Sequence, residues 1–431
     1  MRVKRILRSM SAIALSGVMI FNMVSCGSYE DNKDNDSVSM DFKSENLVSE
    51  LSRQAVVERD IDSNFINSQL KFYVDIFKNS VKSSGENNML ISPLSIMLAL
   101  SMTANGANGD TKIEMENVLG SGISINELNE YLCKYVENLP SDEKSKLSIA
   151  NSIWFKDNLD VREKFLQQSV DYYNAAMFKS PFDRDSIDNM NNWVKENTDG
   201  MIDKIIKEHS KRAIMYVINA IAFDAEWSTP YAISDIRDGK FNSYSGEENE
   251  VEYMFSDEYQ YIHDENTVGF IKSYSCNYSF VAMLPDKEID MLDYIEDFTY
   301  EKYINIMESM EYREVDTTLP KFSYDYELSI VDSLKNMGMK LAFDKDNADF
   351  SNIADTRDGN ISISDVRHKT FISVDENGTK AGAVTSVRGD MAESVKEESK
   401  KVILDRPFIY MIIDDDTKLP IFMGVVMNIK K

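Results

Sequence analysis

The chain has 431 residues, 43% of them hydrophobic, enough apolar material for a sizeable core in one large domain or in a few smaller ones. Its 73 acidic residues outnumber 47 basic ones, and the net charge of -26 excludes nucleic acid and anionic lipid as partners by simple repulsion. Enzyme chemistry finds little support. There are three histidines, His209, His263 and His368, in no metal-ligand spacing, and neither an H-E-x-x-H nor a G-x-S-x-G motif occurs. Neither a catalytic set, a cofactor nor a metal is expected.

The N-terminus opens with a positive stretch, Arg2, Lys4, Arg5 and Arg8, followed by an apolar run over residues 12–21. That run is shorter than the roughly 20 residues a spanning helix needs. It ends at Met23-Val24-Ser25-Cys26-Gly27, which resembles a bacterial lipobox; an ordinary signal peptide cut nearby is the alternative. The resemblance implies a signal peptide over residues 1–25, acylation of Cys26, and a secreted cell-envelope lipoprotein facing outside the cytoplasm. Membrane contact is then through the anchor only. Residues 26–60 are rich in Asp, Asn, Ser and Lys and are expected to form a flexible acidic tether. Cys133 and Cys276 are expected to be free, buried thiols.

Helical periodicity begins near Asn64, with Phe65, Leu70, Tyr73, Ile76 and Phe77 on one face. Ser92-Pro93-Leu94-Ser95 starts a second helix, Pro93 suiting its first turn. Strand-like alternation follows from Leu147, where Ala150, Ser152 and Trp154 alternate with Asn151, Ile153 and Phe155. Residues 217–223 form an apolar run of strand length. The last third predicts strands at 280–284, 315–322, 361–363, 370–374, 402–404, 408–413 and 421–427, interrupted by one helix at 328–337. The result is one α+β domain over residues 61–431.

Several stretches, in order along this domain, resemble the serpin family. Ile91-Ser92-Pro93-Leu94-Ser95-Ile96 and Gly106-Ala107-Asn108-Gly109-Asp110-Thr111 are similar to its helix B and C region. Asn191-Asn192-Trp193-Val194, with Glu196-Asn197-Thr198-Asp199-Gly200, looks like the segment after the partner strand of helix F. Val217-Ile218-Asn219-Ala220, leading to Trp227 and Pro230, resembles the family's central strand 3A and its exit. Leu319-Pro320-Lys321-Phe322, Leu334 to Met339, and Ala348-Asp349-Phe350-Ser351 are similar to the region before its loop. Asp405-Arg406-Pro407-Phe408 and Phe422-Met423-Gly424 resemble its last two strands. The resemblance implies helices packed around a large central sheet, further β-sheets, and an exposed reactive-centre loop at about 378–405. It implies a monomeric suicide inhibitor of serine or cysteine proteases. Such an inhibitor is cleaved once, forms a covalent acyl complex, and inserts its loop into a sheet. The rival is a non-inhibitory serpin acting as a binding protein.

The loop's start, Gly378-Thr379-Lys380-Ala381-Gly382-Ala383-Val384-Thr385, resembles the family's hinge, and strand geometry tests it independently. Side chains alternate between the faces of a strand. From Thr379 the odd positions, Ala381, Ala383, Thr385, Val387, Gly389 and Met391, are small or apolar. The charges Lys380, Arg388 and Asp390 all fall on the even face. One face is fit to be buried and the other to stay in water, and no proline interrupts residues 378–392. Lys380 stands where the family usually has Glu, and Gly382 where Ala is commoner. Both are on the outward face, and the glycine costs about 0.5–1 kcal/mol. The resemblance further assigns Ser92, Ser95, Asn219 and His368 to a shutter beneath the opening sheet, and Trp227 and Glu376 to a breach where insertion begins. In the family the scissile bond lies about fifteen residues from the hinge glycine, so the resemblance, counted from Gly378, implies a reactive bond at Ala392–Glu393. Met391 and Lys396 are alternatives. An Ala before the bond suits elastase-like or subtilisin-like proteases, and Lys396 would suit trypsin-like ones.

Overall fold

Residues 44–207, 213–355, 360–379 and 399–430 are described by the computed structural model. The signal peptide, Cys26, His209, residues 380–385 of the hinge, Met391, the Ala392–Glu393 bond and Lys396 lie outside them.

Local sequence explains the first two helices. The helix Ser63–Ser84 starts where the Asp62 carboxylate accepts the Phe65 N–H at 2.9 Å, and it stops at Gly85, whose φ of 60° suits glycine. The helix Pro93–Ala104 is capped by the Ser92 hydroxyl, carries Pro93 in its first turn and is buried on every side. It runs through the main core, between two sheets.

One sheet has seven strands among the described residues, in the order Glu45–Asn46, Ala176–Ser180, Ser145–Lys156, Met215–Glu226, Gly378–Thr379, Val366–Val374 and Phe322–Ser329. The second follows Lys400–Ile403, Glu311–Pro320, Glu248–His263, Thr267–Ser273, Tyr278–Pro285, Phe408–Asp414, Pro420–Val426 and Met89–Ile91, with Ile236–Asn242 paired alongside Glu248–His263. The helix Arg184–Asn197 and the segment after it cover the other face of the seven-stranded sheet. There Trp154, Phe182, Met190, Val194, Ile202, Ile205, Ile206 and Ile218 form a second core.

Three expectations are corrected. The predicted strand 315–322 is two strands, Glu311–Pro320 and Phe322–Ser329, which lie in different sheets and change over at Lys321. Residues 361–363 form no strand; Ile361 and Ile363 are buried, and the Ile363 N–H goes to the Ala342 carbonyl at 2.9 Å. The helix predicted at 328–337 covers only Val331–Asn336, because Leu328 and Ser329 are still paired with His368 and Arg367. The stretch from Asn191 is the second half of the helix Arg184–Asn197, which follows the strand Ala176–Ser180, and its terminal turn at Asp199 and Gly200.

Of the expected tether over residues 26–60, the described part, 44–60, is not free of the domain. Glu45 and Asn46 pair with Lys179 and Phe178, Arg53 Nε donates to the Asp171 carbonyl at 2.8 Å, and Lys134 pairs with Glu58 at 2.9 Å. Residues 44–60 therefore lie along the domain, with Leu47, Val48 and Leu51 packed on its core.

Candidate functional site

The seven-stranded sheet has a weak seam. Met215–Glu226 is antiparallel to Ser145–Lys156 from Ser145 to Phe155, a long unbroken ladder. Its contact with Val366–Val374 on the other side is parallel and spans only Val366–Lys369 against Val217–Ala220. Parallel pairing is the less stable kind per residue. Towards the Glu226 end, Gly378 and Thr379 stand between the two strands, antiparallel to both, with Thr379 opposite Ala225 and Val374. A strand continuing from Thr379 would replace the short parallel contact with two antiparallel ladders.

The first hinge residues fit this place closely. The Thr379 side chain points inward, 2% exposed, and its hydroxyl lies 2.5 Å from Tyr274 Oη. Gly378 must be glycine because any Cβ there would collide with the Ala225 carbonyl oxygen. The turn before them hangs on one segment. The Trp227 N–H donates to the Asn377 carbonyl at 2.8 Å, Trp227 Nε1 to the Asp375 carbonyl at 2.9 Å, and the Tyr231 N–H to the Glu376 carbonyl at 2.9 Å. The Glu376 carboxylate pairs with Lys321 Nζ at 2.8 Å, and that hydrogen bond holds it below the ordinary carboxylate range. Trp227 and Glu376 thus meet at the mouth of the seam.

Lower down, the seam is closed by side chains. His368 and Asn219 are register partners across it. His368 Nε2 accepts the Ser92 N–H at 2.9 Å, which leaves Nδ1 to donate to Asn219 Oδ1 at 3.3 Å. Asn219 Oδ1 also accepts from the Ser95 hydroxyl, and its amide donates to Asn151 Oδ1 at 2.6 Å. Ser92, Ser95, Asn219 and His368 are brought into one buried network that ties the buried helix to both seam strands. A strand entering the seam must part His368 from Asn219.

Residues 67–429 match the family model "Serpin (serine protease inhibitor)". The chain belongs to the serpin family. A serpin-like protein of Thermococcus kodakarensis is 30% identical over 381 residues, 87% of this chain and 88% of that protein. Human alpha-1-antichymotrypsin is 28% identical over 388 residues, 86% of this chain and 89% of that one. The crystal structure of a thermophilic serpin, tengpin, in its native state superposes with a TM-score of 0.86 at 47% identity, covering 90% of this chain and all of that one. The sheets, helices and topology are those of the serpin fold, and serpins are typically inhibitors rather than enzymes.

Three partners in this serpin's seam escaped sequence reasoning. They are Tyr274 under Thr379, Lys321 on Glu376, and Asn151 beneath Asn219. Lys321 sits in the family-like stretch Leu319-Pro320-Lys321-Phe322, while Tyr274 and Asn151 carry no local signal. Both thiols are free, Cys133 buried and Cys276 half-buried.

Burial without a charged partner pushes the His368 imidazole from its ordinary 6.5 down to about 3. The unfolded chain takes up this proton first, so His368 supports the fold fully above pH 6.5 and loses that support as pH falls towards 3. Between pH 7 and 5 the wild type is expected to lose about 2 kcal/mol more than His368→Gln, which keeps an acceptor and a donor but does not titrate. Urea unfolding at both pH values measures this; equal losses in the two proteins would rule out His368 as the titrating group.

Proposed function

We propose that this serpin is an irreversible suicide inhibitor of a serine protease, with elastase-like or subtilisin-like enzymes favoured as targets. The observation that carries the reading is the inward-facing Thr379 at the open end of a short parallel seam. The protease's nucleophilic oxygen adds to the Ala392 carbonyl carbon, the Ala392–Glu393 peptide bond breaks, and the new amine on Glu393 leaves with a proton. The acylated arm then enters the seam from Thr379 onward, carrying the protease with it. About 15 new ladder bonds at a net 0.5–1.5 kcal/mol each give roughly 10–20 kcal/mol, enough to make the step effectively irreversible. Lys396 offers trypsin-like enzymes a second bait, and Met391 remains an alternative site. The odd-face parity of residues 379–391 supports inhibition over a binding-only serpin, for which no such face is needed.

Incubation with elastase, subtilisin and trypsin tests this. The expected result is a complex that survives boiling in detergent, with release of a C-terminal peptide beginning at Glu393. A peptide beginning at Glu397 would move the bait to Lys396. Clipping with no complex would identify a non-inhibitory serpin.

The same reading puts the inhibitor outside the cytoplasm, held by acyl chains on Cys26 through the polar stretch that precedes the domain. The wild type is expected in the membrane fraction, and Cys26→Ala in the soluble fraction or unprocessed. A fully soluble wild type whose N-terminus is not residue 26 refutes the anchor.

A further inference from the structure

Strand Thr267–Ser273 carries Lys272 opposite Phe280, with 2% of the residue exposed. An ammonium is costly to bury unless it is well paired. Lys272 Nζ donates to Glu258 Oε1 at 2.6 Å, and the same oxygen accepts the Ser256 hydroxyl at 2.7 Å. The ammonium also lies 4.4 Å from the centre of the Tyr231 ring and 5.5 Å from that of Trp227. Both distances are within the range of cation–π attraction, which strengthens when the cation is desolvated.

Those two aromatic residues are the ones whose N–H groups hold the turn at 375–377. Trp227 also stacks on Tyr274 at 4.4 Å and 11°, and Tyr274 carries the hydroxyl that meets Thr379. The buried ammonium therefore underlies the whole platform from which the hinge enters the seam. Register matters here more than affinity, since a slip of one residue would turn Lys380 and Arg388 into the core. We infer that Lys272, fixed by Glu258, is a positioning residue for loop insertion: it holds Trp227 and Tyr231 so that the turn feeds Thr379 into the seam in register. The inference rests on the inhibitory reading proposed above.

The test compares Lys272→Met, Lys272→Arg and the double variant Lys272→Met/Glu258→Leu with wild type. Two measurements are made on each: amide exchange at Trp227 and Tyr231 in the free protein, and inhibitor consumed per protease trapped. Lys272→Met is expected to raise exchange at both amides at least threefold and inhibitor consumption at least threefold, with the rate of loop attack unchanged. Lys272→Arg, which keeps the charge and the ring contacts, is expected to stay near wild type. The double variant replaces the ion pair by apolar contact and is expected to recover thermal stability while keeping the altered exchange and consumption. Unchanged exchange in Lys272→Met, or a double variant that restores both readouts, overturns the assignment and leaves the pair purely structural. If the wild type traps no protease, the inhibitory reading fails separately, and exchange at the two amides still decides whether Lys272 positions the turn.

Discussion

Complete cleavage of the loop between Gly378 and Arg406 is expected to raise the unfolding midpoint by tens of degrees. Among the described residues of the intact protein, only Gly378 and Thr379 occupy the seam, and below them the two strands touch over the four pairs Val366–Val217 to Lys369–Ala220. Once cut, the arm is free to run down the seam and pair on both sides. An insertion releasing roughly 10–20 kcal/mol, at about 1–2 °C per kcal/mol for a domain this large, since the shift per kcal/mol falls as the unfolding entropy grows with size, predicts a rise of roughly 10–40 °C. Scanning calorimetry before and after clipping measures it. An unchanged midpoint after complete clipping at the loop means that no strand enters.

Thr379→Arg should abolish trapping while leaving the loop cleavable, raising the inhibitor consumed per protease trapped at least tenfold. The Thr379 side chain is buried against Tyr274, between Ala225 and Val374. A guanidinium there would be buried without a counter-charge, a cost far above that of a lost hydroxyl contact. Insertion would stall at its first inward residue, and the acyl-enzyme would hydrolyse instead. Gly378→Val is expected to act in the same direction, because its side chain would collide with the Ala225 carbonyl and expel the hinge. Lys380→Glu lies on the outward face of the same strand and should be nearly silent. Equal consumption by Thr379→Arg and Lys380→Glu would refute the parity argument.

Both predictions turn on features of different origin. The alternation of residues 379–391 was legible in the sequence, because a strand's two faces are set by a period of two along the chain and need no partner to be read. The place that receives Thr379 was not legible. It exists because Tyr274, just past the strand Thr267–Ser273, and Ala225, on the strand Met215–Glu226, are both distant from Thr379 in sequence.

What the sequence by itself determined is therefore local or cumulative. The Ser92 cap with Pro93 behind it, the apolar face of the first helix and the ordered set of family stretches were all readable from neighbours a few residues apart. Tertiary structure alone decided the contacts that give those residues work. The Ser92 N–H meets His368 across 276 positions, Asn219 meets Asn151 across 68, and Lys321 meets Glu376. It also divided one predicted strand at Lys321 between two sheets, and laid the polar stretch 44–60 against the domain. Composition and periodicity average over neighbours and carry no term for a specific distant partner. Strand register, set only when the whole sheet assembles, decides which of many buried polar side chains meet, and so where this sheet can open.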